Sequence, residues 1–177
     1  MTFHSFKNRV IAIAIGLMAF TSINAQEMQM QSLIGQSLSK IQDSSPESIL
    51  NCIAELKRID AMFPDSIQPK YMMALQSLNY AVTYPHAEAT DNLLTEAKQT
   101  IDNMEKMKNA DLSDICTLRG FLYMVYIVQD PNQNGQKYYL EVMQNYEKAL
   151  RINPKNELAK QLQQKFLEGM RAAMGNN

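Results

Sequence analysis

The chain has 177 residues, 17 basic and 18 acidic side chains, a formal net charge of −1, no tryptophan, and only six glycines and six prolines. A near-neutral balance without a basic stripe offers nothing to neutralise a phosphate backbone, so nucleic acid is not an expected partner. Leu, Met, Ala, Gln, Glu and Lys dominate, which favours helix. Beyond the first 25 residues the length suits one domain with its own core.

At the N-terminus Lys7 and Arg9 precede an apolar run from Val10 to Phe20, broken only by Gly16. Small or short polar residues then lead to Ala25. The run is about eleven residues, too short for a hydrocarbon core of roughly 30 Å. The pattern predicts a signal peptide over residues 1–25, cleaved after Ala25, with an uncleaved anchor as the alternative. No Cys follows to take a lipid. Cleavage removes Lys7 and Arg9, so residues 26–177 carry 15 minus 18 charges, or −3. The expected product is exported, with no stable membrane insertion.

Hydrophobic spacing predicts seven helices. The first, about 27–41, carries Met30, Leu33, Ile34, Leu38 and Ile41 on one face. The second, about 46–62, opens at Ser44-Ser45-Pro46-Glu47, where a Ser cap, Pro in the first turn and Glu three residues after Ser44 mark a start. Its face is Ile49, Cys52, Ile53, Leu56, Ile59, Met62 and Phe63, and Pro64-Asp65 ends it. The third, about 69–83, carries Tyr71, Met72, Leu75, Leu78 and Val82. Pro85 separates it from the fourth, about 86–108, with Leu93, Leu94, Ala97, Ile101, Met104 and Met107 in register.

Asp111-Leu112-Ser113-Asp114 caps the fifth, about 112–129, whose stretch from Phe121 to Val128 is apolar on all sides. Periodicity alone leaves a strand open there; length, cap and neighbours favour a buried helix. The sixth, about 136–152, carries Tyr139, Val142, Met143, Tyr146, Ala149 and Leu150. Asn153-Pro154 caps the seventh, about 154–173, with Leu158, Leu162, Phe166 and Met170 in one stripe.

The only thiols, Cys52 and Cys116, both sit in helical apolar patterns. Export permits a disulfide between them, and burial as two small hydrophobes is the alternative. Between the fifth and sixth helices, residues 130–141 read DPNQNGQKYYLE. Asp130, Asn132, Asn134, the Gln136 carbonyl and Glu141 fall where a helix–loop–helix calcium site takes its ligands, with Gly135 at the sharp turn. Only two of these are carboxylates, Lys137 adds a positive charge, and no second loop is present to pair with it. The competing reading is a polar connector within a helix pair.

No catalytic pattern emerges. After residue 25 the single His is His86, and H-E-x-x-H, C-x-x-C, G-x-S-x-G and phosphate-loop patterns are missing from the sequence. The chain is not expected to be an enzyme or to carry a cofactor.

Internal similarity supports stacked helix pairs. Tyr146, Ala149, Ile152 and Pro154 repeat the spacing of Leu56, Ile59, Met62 and Pro64. "YEKALRINPKNELA", Tyr146 to Ala159, resembles the second helix of a tetratricopeptide repeat running into the next. Tyr146, Ala149 and Pro154 meet the family pattern, and Gly120 and Tyr123 fit the small residue and aromatic of the preceding first helix. In the earlier pairs the pattern is degenerate: Ile59 stands where Ala is expected.

The pieces "IQPKYMMALQSLNYA", "NLLTEAKQTIDNMEK", "DPNQNGQKYY" and "YEKALRINPKN" also resemble, in that order, small exported tetratricopeptide-like proteins of Gram-negative bacteria. The resemblance implies an all-α fold of about three antiparallel pairs plus a closing helix over residues 26–177. It implies no established activity; export points to a periplasmic or outer-envelope location, and protein or peptide binding is expected because that is what repeat hairpins usually do. Gln76, Asn79, Tyr80, Arg119 and Tyr126 are then groove candidates, with Arg119 either placed to receive a carboxylate from a partner or lying at the helix edge and pairing with an Asp or Glu of its own chain. The alternatives are a structural or accessory subunit of an envelope assembly, and a weak calcium module.

Overall fold

The computed structural model describes residues 25–41 and 45–174. The apolar run, the expected cleavage site's upstream side and Ser44 lie outside them. Among the described residues there are seven helices and no strand: α1 (Ala25–Ser39), α2 (Pro46–Met62), α3 (Ile67–Thr83), α4 (Thr90–Met104), α5 (Leu112–Gln129), α6 (Pro131–Ile152) and α7 (Glu157–Met174). None of these is long and apolar enough to cross a membrane.

The helix starts follow from short polar side chains that satisfy orphan N–H groups. Ser45 accepts from the Ser48 N–H at 3.2 Å, ahead of Pro46 at the first helical position. Asp111 accepts from the Ser113 and Asp114 N–H groups at 2.7 and 3.3 Å. Asn156 accepts from the Ala159 N–H at 3.0 Å. This last cap moves the start of α7 beyond the expected Asn153-Pro154. α4 is shorter than its spacing predicts, because residues 85–89 turn and the Thr90 hydroxyl donates to the Tyr84 carbonyl at 2.6 Å.

The largest departure is at the sixth helix. It begins at Pro131, five residues before the expected start, so the long connector is not there. Asp130 is the N-cap, accepting from the Gln133 N–H at 3.0 Å, and Pro131 occupies the first turn, where its missing N–H costs nothing.

Each helix packs on its successor. In addition α3 packs on α5, and α5 on α7. This places α3 and α5 inside. Every residue from Ala74 to Thr83 is buried, and α5 is buried at Ile115, Leu118, Phe121, Leu122 and Val125. One large core joins Ile34, Leu56, Leu78, Ile101, Phe121, Tyr146 and Leu162. Tyr146 is fully buried, and a Cβ on Gly120 would lie 2.8 Å from its Cε1. Only a residue without a side chain lets α5 and α6 approach this closely.

The two sequence stretches that share a spacing also share their burial. Leu56, Ile59 and Met62 are 0, 5 and 55% exposed; Tyr146, Ala149 and Ile152 are 0, 0 and 47% exposed. Each series closes its helix. Cys52 and Cys116 are buried free thiols in separate core clusters, Cys116 packing with Ala149 and Ala159. The disulfide that the sequence leaves open is not formed.

Candidate binding face

The five groove candidates separate into two groups. Gln76, Asn79 and Tyr80 are 6, 6 and 3% exposed and line no open surface. Asn79 Nδ2 donates to Gln76 Oε1 at 3.4 Å, and Tyr80 packs with Ile49, Ile53 and Leu93. They are enclosed because α3 lies against α2, α4 and α5 at once. Here the expectation is corrected: these residues belong to the interior.

Arg119 and Tyr126 are half-buried on the outward stripe of α5, together with Tyr123. Their i, i+4, i+7 spacing puts all three on one helix face. α4 supplies one flank. Arg119 Nη1 donates to Asp102 Oδ1 and Nη2 to Glu105 Oε2, each at 2.8 Å, while Lys98 Nζ holds the other Asp102 oxygen at 2.8 Å. The Lys98 hydrogen bond, reinforced by Arg119, holds the Asp102 carboxyl below the usual range. Arg119 is therefore a strut between α4 and α5, and its terminal nitrogens are committed within the chain.

α6 supplies the other flank. Tyr138 stacks on Tyr123 with ring centroids 5.3 Å apart and planes at 20°, and lies 5.3 Å from Tyr126. Tyr123 and Tyr126 close the triangle at 6.4 Å. All three rings are half-buried. Burial pushes the Tyr126 phenol up, with the Tyr138 and Tyr123 hydroxyls adding to it. Lys137 holds its ammonium 4.7 Å over the Tyr138 ring. The sequence reading names Arg119 and Tyr126 but misses Tyr138, Lys137, Asp102 and Glu105. The helical spacing of Arg119, Tyr123 and Tyr126 is the signal that marks the stripe.

The calcium reading fails on geometry. Residues 131–135 are helical, so Asn132 and Asn134 project from different sides of α6 and cannot turn back around one ion with Asp130, Gln136 and Glu141. Asn134 Nδ2 instead donates to the Tyr126 carbonyl at 2.7 Å, satisfying the end of α5.

A polar junction lies at the start of α5. Asn156 Nδ2 faces Ser113 Oγ, Asp114 Oδ1 and Thr117 Oγ1 at 2.9, 3.1 and 3.2 Å, while the Ser113 hydroxyl donates to the Ala149 carbonyl at 2.9 Å. It ties α5, α6 and α7 together. Burial, with the like charge of Asp111, pushes the Asp114 carboxyl up to about 6, against the opposing hydrogen bond from Asn156. Comparison of the chain with family models, curated proteins and solved structures finds no match.

Proposed function

We propose that this is an exported tetratricopeptide-like protein that binds another protein or peptide through the face formed by α4, α5 and α6. The packing order supports the repeat reading: each helix lies on its successor, and α3, α5 and α7 also pack in series. The close pairing of Gly120 with Tyr146, and the matched burial of the Leu56 and Tyr146 series, support it as well. Solenoid repeats stack in this way because one pair cannot bury its own apolar faces.

The observation that carries the binding reading is the triangle of Tyr123, Tyr126 and Tyr138. Half-exposed tyrosines offer large rigid contact area at low entropy cost and are enriched where protein interfaces concentrate their energy. The outward face of α7 is polar, with Lys160, Gln164, Glu168 and Arg171 exposed, so this face reads as a solvated surface and less as a packing surface for an assembly.

Affinity for a partner isolated from the cell envelope tests the reading. Tyr123→Ala and Tyr138→Ala should each weaken binding at least about tenfold while the helical circular dichroism stays unchanged. Unaltered affinity in both variants would contradict it.

A further inference from the structure

The charges around the tyrosine triangle differ in how far they are committed. Three cations of these helices are engaged: Lys98 with Asp102, Arg119 with Asp102 and Glu105, and Lys137 with the Tyr138 ring. The carboxylates have capacity left. Glu105 keeps 49% of its side chain exposed and uses one oxygen on Arg119. Glu141, one turn beyond Tyr138 on α6, is exposed and forms no ion pair among the described residues. Asp91, on the α4 flank, is exposed and accepts only a neutral hydrogen bond from Gln129, at 2.9 Å. Among these groups the uncommitted charge is negative. Lys137 adds a second observation, because its exposed ammonium already occupies one ring face of the cluster. Tyrosine rings attract cations through their negative faces.

The geometry points to a basic partner: a protein segment that lays an arginine or lysine over the Tyr123–Tyr126–Tyr138 rings, between Glu105 on one side and Glu141 on the other. This rests on the reading of the face as a docking surface, and it reverses the chemistry that Arg119 suggests from sequence. An acidic segment would find Arg119 already occupied and would meet the exposed carboxylate of Glu141. A basic one displaces only Lys137, an exposed side chain whose release into water costs little.

Two labelled probe peptides of the same Pro/Ser frame, one bearing arginines and the other glutamates, distinguish the cases by fluorescence anisotropy on the purified protein. The arginine probe should bind at least about tenfold more tightly, and the preference should shrink as salt is raised. Glu141→Lys and Glu105→Gln should each weaken the arginine probe about three- to tenfold, Glu141→Lys without changing the melting temperature. Lys137→Ala should leave its affinity the same or higher. Equal or tighter binding of the glutamate probe, no binding of either probe, or indifference to Glu141→Lys would overturn the inference. None of these touches the docking reading itself, which Tyr123→Ala, Tyr138→Ala and crosslinking through position 126 test.

Discussion

Gly120 and Tyr146 are in contact to the limit that atoms allow: a Cβ on the glycine would sit 2.8 Å from Cε1 of a ring that is itself fully buried. The ring cannot swing away, because it fills the core between α5 and α6. Gly120→Ala should therefore destabilise the protein by about 1–3 kcal/mol in urea unfolding, although alanine is the better helix former. Gly35→Ala and Gly135→Ala make the contrast. Neither added Cβ meets an atom within 4 Å, and both sites are inside helices. Each should stabilise by about 0.5–1 kcal/mol. Equal effects at Gly120 and Gly35 would mean that α5 and α6 are farther apart than described.

Asn156 has two roles, capping α7 and donating into the Ser113–Asp114–Thr117 cluster. Asn156→Ala removes the cap and leaves buried hydroxyls short of a partner, a combined loss of about 2–4 kcal/mol. Hydrogen exchange should show the loss first in α7, before the α3–α5 interior loosens. Uniform loss of protection would argue against a local junction.

The pH dependence of that junction has a defined sign. The Asp114 carboxyl is raised from 3.8 to about 6 in the folded chain, so folding favours its protonated form. Its contribution to stability is greatest below about pH 4 and is lost as pH rises from there through about 6. Asp102 and Glu55, both held low, act in the opposite direction and lose their contribution as pH falls. The difference between wild type and Asp114→Asn isolates the first effect. Unfolding midpoints from pH 4 to pH 8 should show the wild type losing ground to the variant as pH rises. A constant gap would contradict the burial of Asp114.

Both thiols should resist modification in the native state. Burial pushes the Cys52 thiol up to about 11 and raises Cys116 as well. A disulfide-exchange reagent should titrate two thiols in denaturant and almost none without it. Finding no titratable thiol in denaturant would indicate a disulfide.

Much of the helical layout is legible in the sequence because capping is local. The bounds of α5 are readable from Asp111 at one end and Asp130-Pro131 at the other. The start of α6 is misread from the same letters: Asp130-Pro131 is also a cap followed by a first-turn proline, but the Asn and Gly residues after it suggest a loop. The tyrosine face is half legible. Arg119 and Tyr126 stand out as polar and aromatic residues on an apolar helix, and spacing along the helix joins them. That Arg119 pairs within the chain is one of the two expectations from sequence; which carboxylates it takes is not readable, since Asp102 and Glu105 reach it only once α4 lies on α5. Gln76 and Asn79 mislead for the same reason: polarity suggests a surface, and the enclosure of α3 by three other helices removes it.

The most direct test of the account is a photo-crosslinking amino acid placed at Tyr126, with the same residue at Gln164 on the polar face of α7 as the control. In intact envelope, position 126 should give a discrete protein adduct, and position 164 should give none. Adducts of equal yield at both positions, or none at 126, would contradict the assignment of the tyrosine face as the docking site.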